Sequence, residues 1–271
     1  MDVKGKTILI TGSTDGVGRY VAGELAKQGA RVLIHGRDAG RARAVIDANT
    51  SAGGKATFYQ ADLSSLASVR ALADKVAADH RKIDVFVSNA GIGSQNYGPQ
   101  RQESADGHEL RFAVNYLAGF LLAYRLLPLI KAAAPSRIVN VASLGQHPID
   151  FDDVMLTKNY SGGRAYAQSK LSQIMFTIDL AEELKSTGVT VNSLHPATYM
   201  NTTMVRAGGI TPMSTVEQGG AAILNLVQGD AVANKSGLFF NGMSEMKANA
   251  QAYDATARKK LRELSLQLTA L

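Results

Sequence analysis

The stretch Thr7-Ile8-Leu9-Ile10-Thr11-Gly12-Ser13-Thr14-Asp15-Gly16-Val17-Gly18 decides how the rest of the chain is read. Its first four residues are aliphatic or β-branched and read as a buried strand. The glycine-punctuated segment that follows reads as a tight turn into a helix running from Gly18 to Gln28. Glycine permits turn dihedrals closed to other residues and lets a phosphate approach the main chain. A helix N-terminus adds unpaired N–H groups and the positive end of its dipole. Gly12, Ser13, Thr14, Asp15, Gly16, Val17 and Gly18 thus form a candidate pyrophosphate cradle. Glycines also mark ordinary strand-to-helix turns, so the order strand, turn, helix is what gives the reading its weight.

Working outward, further β-branched runs read as buried strands: Arg31 to Ile34, Thr57 to Tyr59, Ile83 to Val87, Arg137 to Val141 and Val189 to Leu194. Helical periodicity fills the intervals Gly40 to Ala48, Ser64 to His80, Glu109 to Ala133 and Arg164 to Ser186. Strand and helix alternate, which predicts one α/β domain over residues 1–271, a doubly wound parallel sheet with helices on both faces. Gly29, Gly53, Gly54 and Gly188 fall where elements should end. Pro128 sits inside an apolar helical pattern and predicts a kink or break near Leu127.

Composition narrows the function. A chain of 271 residues with 45% hydrophobic content and 6 prolines can bury a large core, about 75% of its unfolded surface. With no cysteine, disulfides, Cys-ligated zinc and thiol catalysis are excluded. His147 and His195 lack a third ligand at metal spacing, so no metal site is expected. The formal charge of +6 is spread along the chain rather than gathered into a basic run, which argues against nucleic acid and suits an anionic cofactor. No stretch approaches the ~20 apolar residues of a membrane span, and a soluble, cytoplasmic protein is the expectation.

The second strand ends His35-Gly36-Arg37-Asp38. Arg37 stands about where an NAD-specific fold carries an acid for the ribose 2′-hydroxyl, and a guanidinium there can grip a 2′-phosphate. NADP(H) is therefore preferred over NAD(H). Arg37 could instead face solvent, with Asp38 as a ribose ligand. After the third strand, Asp62-Leu63 places a carboxylate where an adenine could bind, although Asp62 before Ser64 also reads as a helix cap. Asn89-Ala90-Gly91 ends the fourth strand with small residues suited to a flat cofactor.

Tyr166 and Lys170 are four apart on a predicted helix and share a face. A neighbouring ammonium would favour the phenolate of a tyrosine whose free pKa is about 10. With these come Asn115 in Val114-Asn115-Tyr116, Ser143 closing Ile138-Val139-Asn140-Val141-Ala142-Ser143, and His195-Pro196. In order and spacing the chain resembles the short-chain dehydrogenase/reductase family, most closely its retinol-dehydrogenase-like reductases. The resemblance implies a Rossmann sheet of about seven strands and a catalytic tetrad of Asn115, Ser143, Tyr166 and Lys170. It also implies cofactor contacts from Asn89, Ala90, Gly91, Tyr166, Lys170, Pro196 and Ala197, and a homodimer or homotetramer through the long helices around Asn115 and Tyr166. Ser88 and Ala197 depart from the family's usual asparagine and glycine.

The expected function is hydride transfer between NADP(H) and a moderately apolar carbonyl or alcohol, with Tyr166 as general acid/base. Two segments, about 144–165 and 197–215, are expected to face substrate. They carry His147, Asp150, Phe151, Met155 and Tyr160, then Tyr199, Met200, Thr202, Thr203, Met204 and Met213. A non-catalytic NADP(H) sensor, or a dehydratase or epimerase on the same scaffold, are the competing readings.

Overall fold

The computed structural model describes residues 1–51 and 53–271. Aliphatic runs form the strands β1 (Thr7–Ile10), β2 (Arg31–Gly36), β3 (Lys55–Gln60), β4 (Val85–Ser88), β5 (Ser136–Val141), β6 (Val189–His195), β7 (Phe239–Asn241) and β8 (Ser244–Met246). They make one sheet in the order β3-β2-β1-β4-β5-β6-β7-β8. All pairs are parallel except β7 with β8. β1, β4 and β5 are buried along their whole length, as strands covered on both faces must be.

The helices are α1 (Gly16–Lys27), α2 (Ala39–Ser51), α3 (Leu66–Asp79), α4 (Leu110–Phe112), α5 (Ala118–Ala132), α6 (Gly162–Glu183), α7 (Thr203–Ala207), α8 (Val216–Gln228) and α9 (Ala255–Thr269). Strand alternation splits the core between the two faces. Leu9, Leu33, Phe86 and Ile138 pack beneath residues of α3, α5 and α6. Ile8, Ile10, Val32, Ile34, Val85 and Val87 face α1 and α8. The chain winds outward from β1 to β3, then returns to place β4 on the other side of β1. That reversal opens a crevice at the C-terminal ends of β1 and β4, where open α/β sheets bind ligands.

Pro128 does not break α5, which continues to Ala132. Its ring lies on the exposed side, where water can satisfy the carbonyl left without a donor, while Leu126, Leu127 and Ile130 stay buried. The helix Leu110–Ala132 is long and apolar enough to cross a membrane, with mean hydropathy 1.5, yet 67% of that window is buried inside the fold. Its irregularity is a π-helical turn over Ala113–Leu117, which contains Asn115.

α9 packs on α6 through Arg258–Asp179 (2.6 Å) and Arg262–Glu183 (3.0 Å), and the Tyr116 hydroxyl meets Ser265 Oγ at 2.7 Å. Part of the helical face expected to meet a second copy is therefore covered by the chain's own C-terminal helix. The strands β7 and β8, of three residues each, are too short to show periodicity in sequence.

Candidate active site

At the glycine turn, backbone crosses backbone. Gly12 has φ +65°, and a Cβ there would lie 2.9 Å from Ala90 Cα. A Cβ on Gly18 would stand 2.4 Å from Gly12 O and 2.5 Å from Asn89 Nδ2. Ser13 faces inward, donating from Oγ to Ile10 O at 2.8 Å and accepting from His35 N at 3.0 Å. Asn89 also turns back, its Nδ2 donating to Thr11 O and Gly12 O. Both side chains build the turn and so present only backbone to a ligand. Asp15 caps α1 by accepting from Gly16 N.

His35, unremarked in the sequence beyond its place before Arg37, holds this turn. Its Nδ1 accepts the Gly12 N–H at 3.1 Å, which requires a neutral ring with the proton on Nε2. Burial pushes its pKa down to about 4.

Arg37, Gln60, Ala61, Asp62 and Ser68 line a cleft of about 380 Å³ beside this turn. The Asp62 Oδ1 accepts from Ser64 N and Ser64 Oγ, while Ser65 caps α3. Asp62 therefore braces a turn and still faces the cleft. Leu63 does neither, being part of the core below. Arg41, missed in sequence, lies 3.4 Å from Asp15 and 3.6 Å from Asp38, which ties α2 to the glycine turn. Close crossings that only glycine permits, a helix N-terminus and this flanking cleft together fit a dinucleotide.

At the other end of the crevice, the π-turn turns Asn115 inward. Its Oδ1 accepts from Ile92 N (2.8 Å) and its Nδ2 donates to Ser169 Oγ (3.0 Å). A Cβ on Gly91 would come within 3.2 Å of Asn115 Oδ1 and 3.5 Å of Lys170 Nζ. Lys170 Nζ donates to Val141 O (2.8 Å) and Gln173 Oε1 (2.9 Å), and lies 5.7 Å from the Tyr166 ring centroid. Burial lowers its pKa to about 7. Ser143 Oγ accepts from Gly145 N, and a Cβ on Gly145 would sit 3.5 Å from that oxygen and 3.6 Å from Tyr166 Cε1. Asn115, Ser143, Tyr166 and Lys170 thus converge at one place. Pro196 is buried at the end of β6 and Ala197 half-buried beyond it.

One sequence expectation changes. Among the protein's own groups, burial pushes the Tyr166 phenol up, and the Ser143 hydroxyl offsets it only in part. The ammonium of Lys170 is spent on Val141 and Gln173, so its pull on the phenol does not dominate. Gln173, three residues after Lys170 on the same helical face, could have been found by that spacing.

The long segment before Tyr166 is tied down rather than free. Ile149, Val154 and Leu156 are buried, Asp150 pairs with Arg164, and the Met155 carbonyl accepts from Arg101. The Tyr160 hydroxyl accepts from Arg111 at 2.6 Å and donates to Glu109 at 3.2 Å. Phe151 packs against the core, which leaves His147 as the exposed candidate there. In the second segment Thr202 caps α7 and its methyl would meet a Cβ on Gly16 at 3.3 Å, so this segment reaches over the glycine turn. Tyr199, Met204 and Met213 are exposed, whereas Met200 packs against Gly219 of α8.

Residues 6–209 match the family model for short chain dehydrogenase. The chain is a short-chain dehydrogenase. Human retinol dehydrogenase 11 is 34% identical over 283 residues, covering 100% of this dehydrogenase and 88% of its relative. Human retinol dehydrogenase 14 is 34% identical, covering 96% and 85%. Among solved structures, an uncharacterised protein from Mycobacterium paratuberculosis superposes with TM-score 0.80 at 28% identity, covering 99% of this dehydrogenase and 96% of that chain. The Pseudomonas aeruginosa RhlG/NADP active-site complex gives TM-score 0.72 at 26% identity, covering 89% and 95%.

Proposed function

We propose that this dehydrogenase moves a hydride between NADP(H) and a moderately apolar aldehyde, ketone or alcohol, with Tyr166 transferring the proton. The observation that carries the reading is the convergence of Tyr166 and the Ser143 hydroxyl beside Gly145 with the Lys170 ammonium, which lies beside Gly91 and 5.7 Å from the Tyr166 ring. The cofactor supplies the hydride.

The protein's own groups do the rest. Ser143 holds the substrate oxygen, and the Tyr166 O–H gives its proton to that oxygen in reduction or recovers it in oxidation. Burial raises the Tyr166 phenol above its ordinary value, so it stands protonated, the form an acid needs when a carbonyl is reduced. Lys170, at about 7, can exchange a proton near neutrality and refill Tyr166. Asn115 fixes the backbone of Ile92 beside Gly91. Arg37 in the cleft beside the glycine turn supports NADP(H) over NAD(H), as does the NADP bound by the Pseudomonas relative. Exposed Leu144, Tyr199, Met204 and Met213 favour an apolar substrate, in keeping with relatives named for retinol, an apolar alcohol.

NADPH absorbance in the presence of a panel of aldehydes and ketones tests the assignment. Tyr166→Phe is expected to bind NADPH as the wild type does and to lose turnover by at least about 10²-fold. Undiminished turnover in that variant would remove Tyr166 from the mechanism.

A further inference from the structure

The segment from Gly93 to Asn96 follows β4, lies against Met204 and is pinned by a buried side chain. Fully buried Arg111 donates to three of its carbonyls, Gly93 O at 3.1 Å, Ser94 O at 2.9 Å and Asn96 O at 2.5 Å. Gly93 N donates to Asn96 Oδ1 at 2.8 Å. Buried Glu109, 3.7 Å from Arg111, balances the charge. An arginine in the apolar run Leu110-Arg111-Phe112-Ala113-Val114 is the sequence feature that betrays this anchor.

The rigid strap ends at Tyr97, with φ +69°, followed by Gly98 at +75°. A bulky residue seldom adopts this left-handed conformation, and such strain tends to persist where function requires it. The conformation places the Tyr97 hydroxyl 3.3 Å from Arg37 Nη2, at the lip of the adenosine cleft. Arg37 is held from behind as well, its carbonyl accepting from Gln60 Nε2 at 2.9 Å.

A guanidinium only donates, so the Tyr97 oxygen accepts and its own hydrogen stays available. One N–H of Arg37 is used, and the others remain for two parallel bonds to a phosphate. Fixing a long, exposed side chain in its binding rotamer removes part of the entropy lost on binding. We propose that Tyr97 is a positioning residue for cofactor discrimination: it aims Arg37 at a 2′-phosphate and offers its O–H to the same group. This rests on the reading of Arg37 as the 2′-phosphate anchor.

The test is the dissociation constants of NADPH and NADH, measured by fluorescence titration on the wild type, Tyr97→Phe, Arg37→Ala and the double variant. Tyr97→Phe is expected to weaken NADPH about five-fold, the worth of one hydrogen bond, and NADH by less than about two-fold. In the Arg37→Ala background the Tyr97 change should weaken NADPH by less than it does in the wild type, because only the direct hydrogen bond to the phosphate is left to lose. Tyr97→Gly, which relieves the left-handed strain, should raise the melting temperature while losing the preference, an opposition that a purely structural tyrosine would not show. A wild type that binds both nucleotides equally overturns the Arg37 reading and this proposal together. A wild type that prefers NADPH, with variants at Tyr97 that keep the full preference or weaken both nucleotides alike, overturns this proposal alone.

Discussion

The two ends of the crevice are made of different material. At the glycine turn, main chain lies against main chain, and an added Cβ on Gly12, Gly18 or Gly36 would come within 2.9 Å of a neighbouring atom. Polar groups there are consumed internally, Ser13 by Ile10 and His35, Asn89 by Thr11 and Gly12. Beyond Ser143 and Pro196, by contrast, Leu144, Tyr199, Met204 and Met213 stand exposed. A cofactor of fixed shape can be met by backbone that tolerates no change. Substrate choice can then sit in flexible side chains that alter without disturbing the sheet.

The sharpest way to break that contrast is Gly18→Ala. Its Cβ would meet Gly12 O, a backbone atom that cannot swing aside. We expect a loss of about 1–3 kcal/mol in denaturant unfolding and at least about ten-fold weaker NADPH binding. Wild-type stability and binding in this variant would show that the crossing has room to spare.

Acid should reach the same turn by another route. His35 accepts the Gly12 N–H only while neutral, and its folded pKa is about 4 against an ordinary 6.5. Between those values the unfolded chain takes up a proton that the folded one refuses. Stability is therefore full above pH 6.5 and falls as pH drops towards 4, by up to about 3 kcal/mol. His35→Gln can still accept from Gly12 without titrating, so its unfolding free energy should decline less across that window. Parallel pH profiles for the two proteins would sink the link.

The same contrast governs what the sequence discloses. Gly12, Gly16 and Gly18 are local in sequence and answer to a local backbone requirement, and Tyr166 and Lys170 are one helical turn apart, so both are readable from spacing. Arg37 is readable because a strand end fixes its place. Tyr97, Arg111 and Gln251 act through partners far away: Tyr97 meets Arg37, Arg111 gathers three carbonyls and Tyr160, and Gln251 grips Ile149 from the far end of the chain. No periodicity announces such pairings. For that reason the sequence, which reads the segment 144–165 as a substrate-facing loop, does not show that it is also stapled to the body. The raised pKa of Tyr166 is hidden for a like cause, since it depends on how deeply the phenol is enclosed and on where Lys170 spends its donors.

The mildest change tests one of the exposed side chains beyond Pro196. Met213 is 71% exposed, and its backbone N–H, which donates to Tyr199 O at 2.9 Å, survives replacement of the side chain. Met213→Ser should thus leave unfolding free energy within about 0.5 kcal/mol of the wild type. If the thioether covers part of an apolar substrate, KM for a long aliphatic aldehyde should rise about three-fold with kcat unchanged, the mark of uniform binding lost. The rise should shrink to nothing for aldehydes too short to reach residue 213. An equal rise for short and long chains would place the effect in the segment's conformation, and no rise for either would leave Met213 outside the substrate's path.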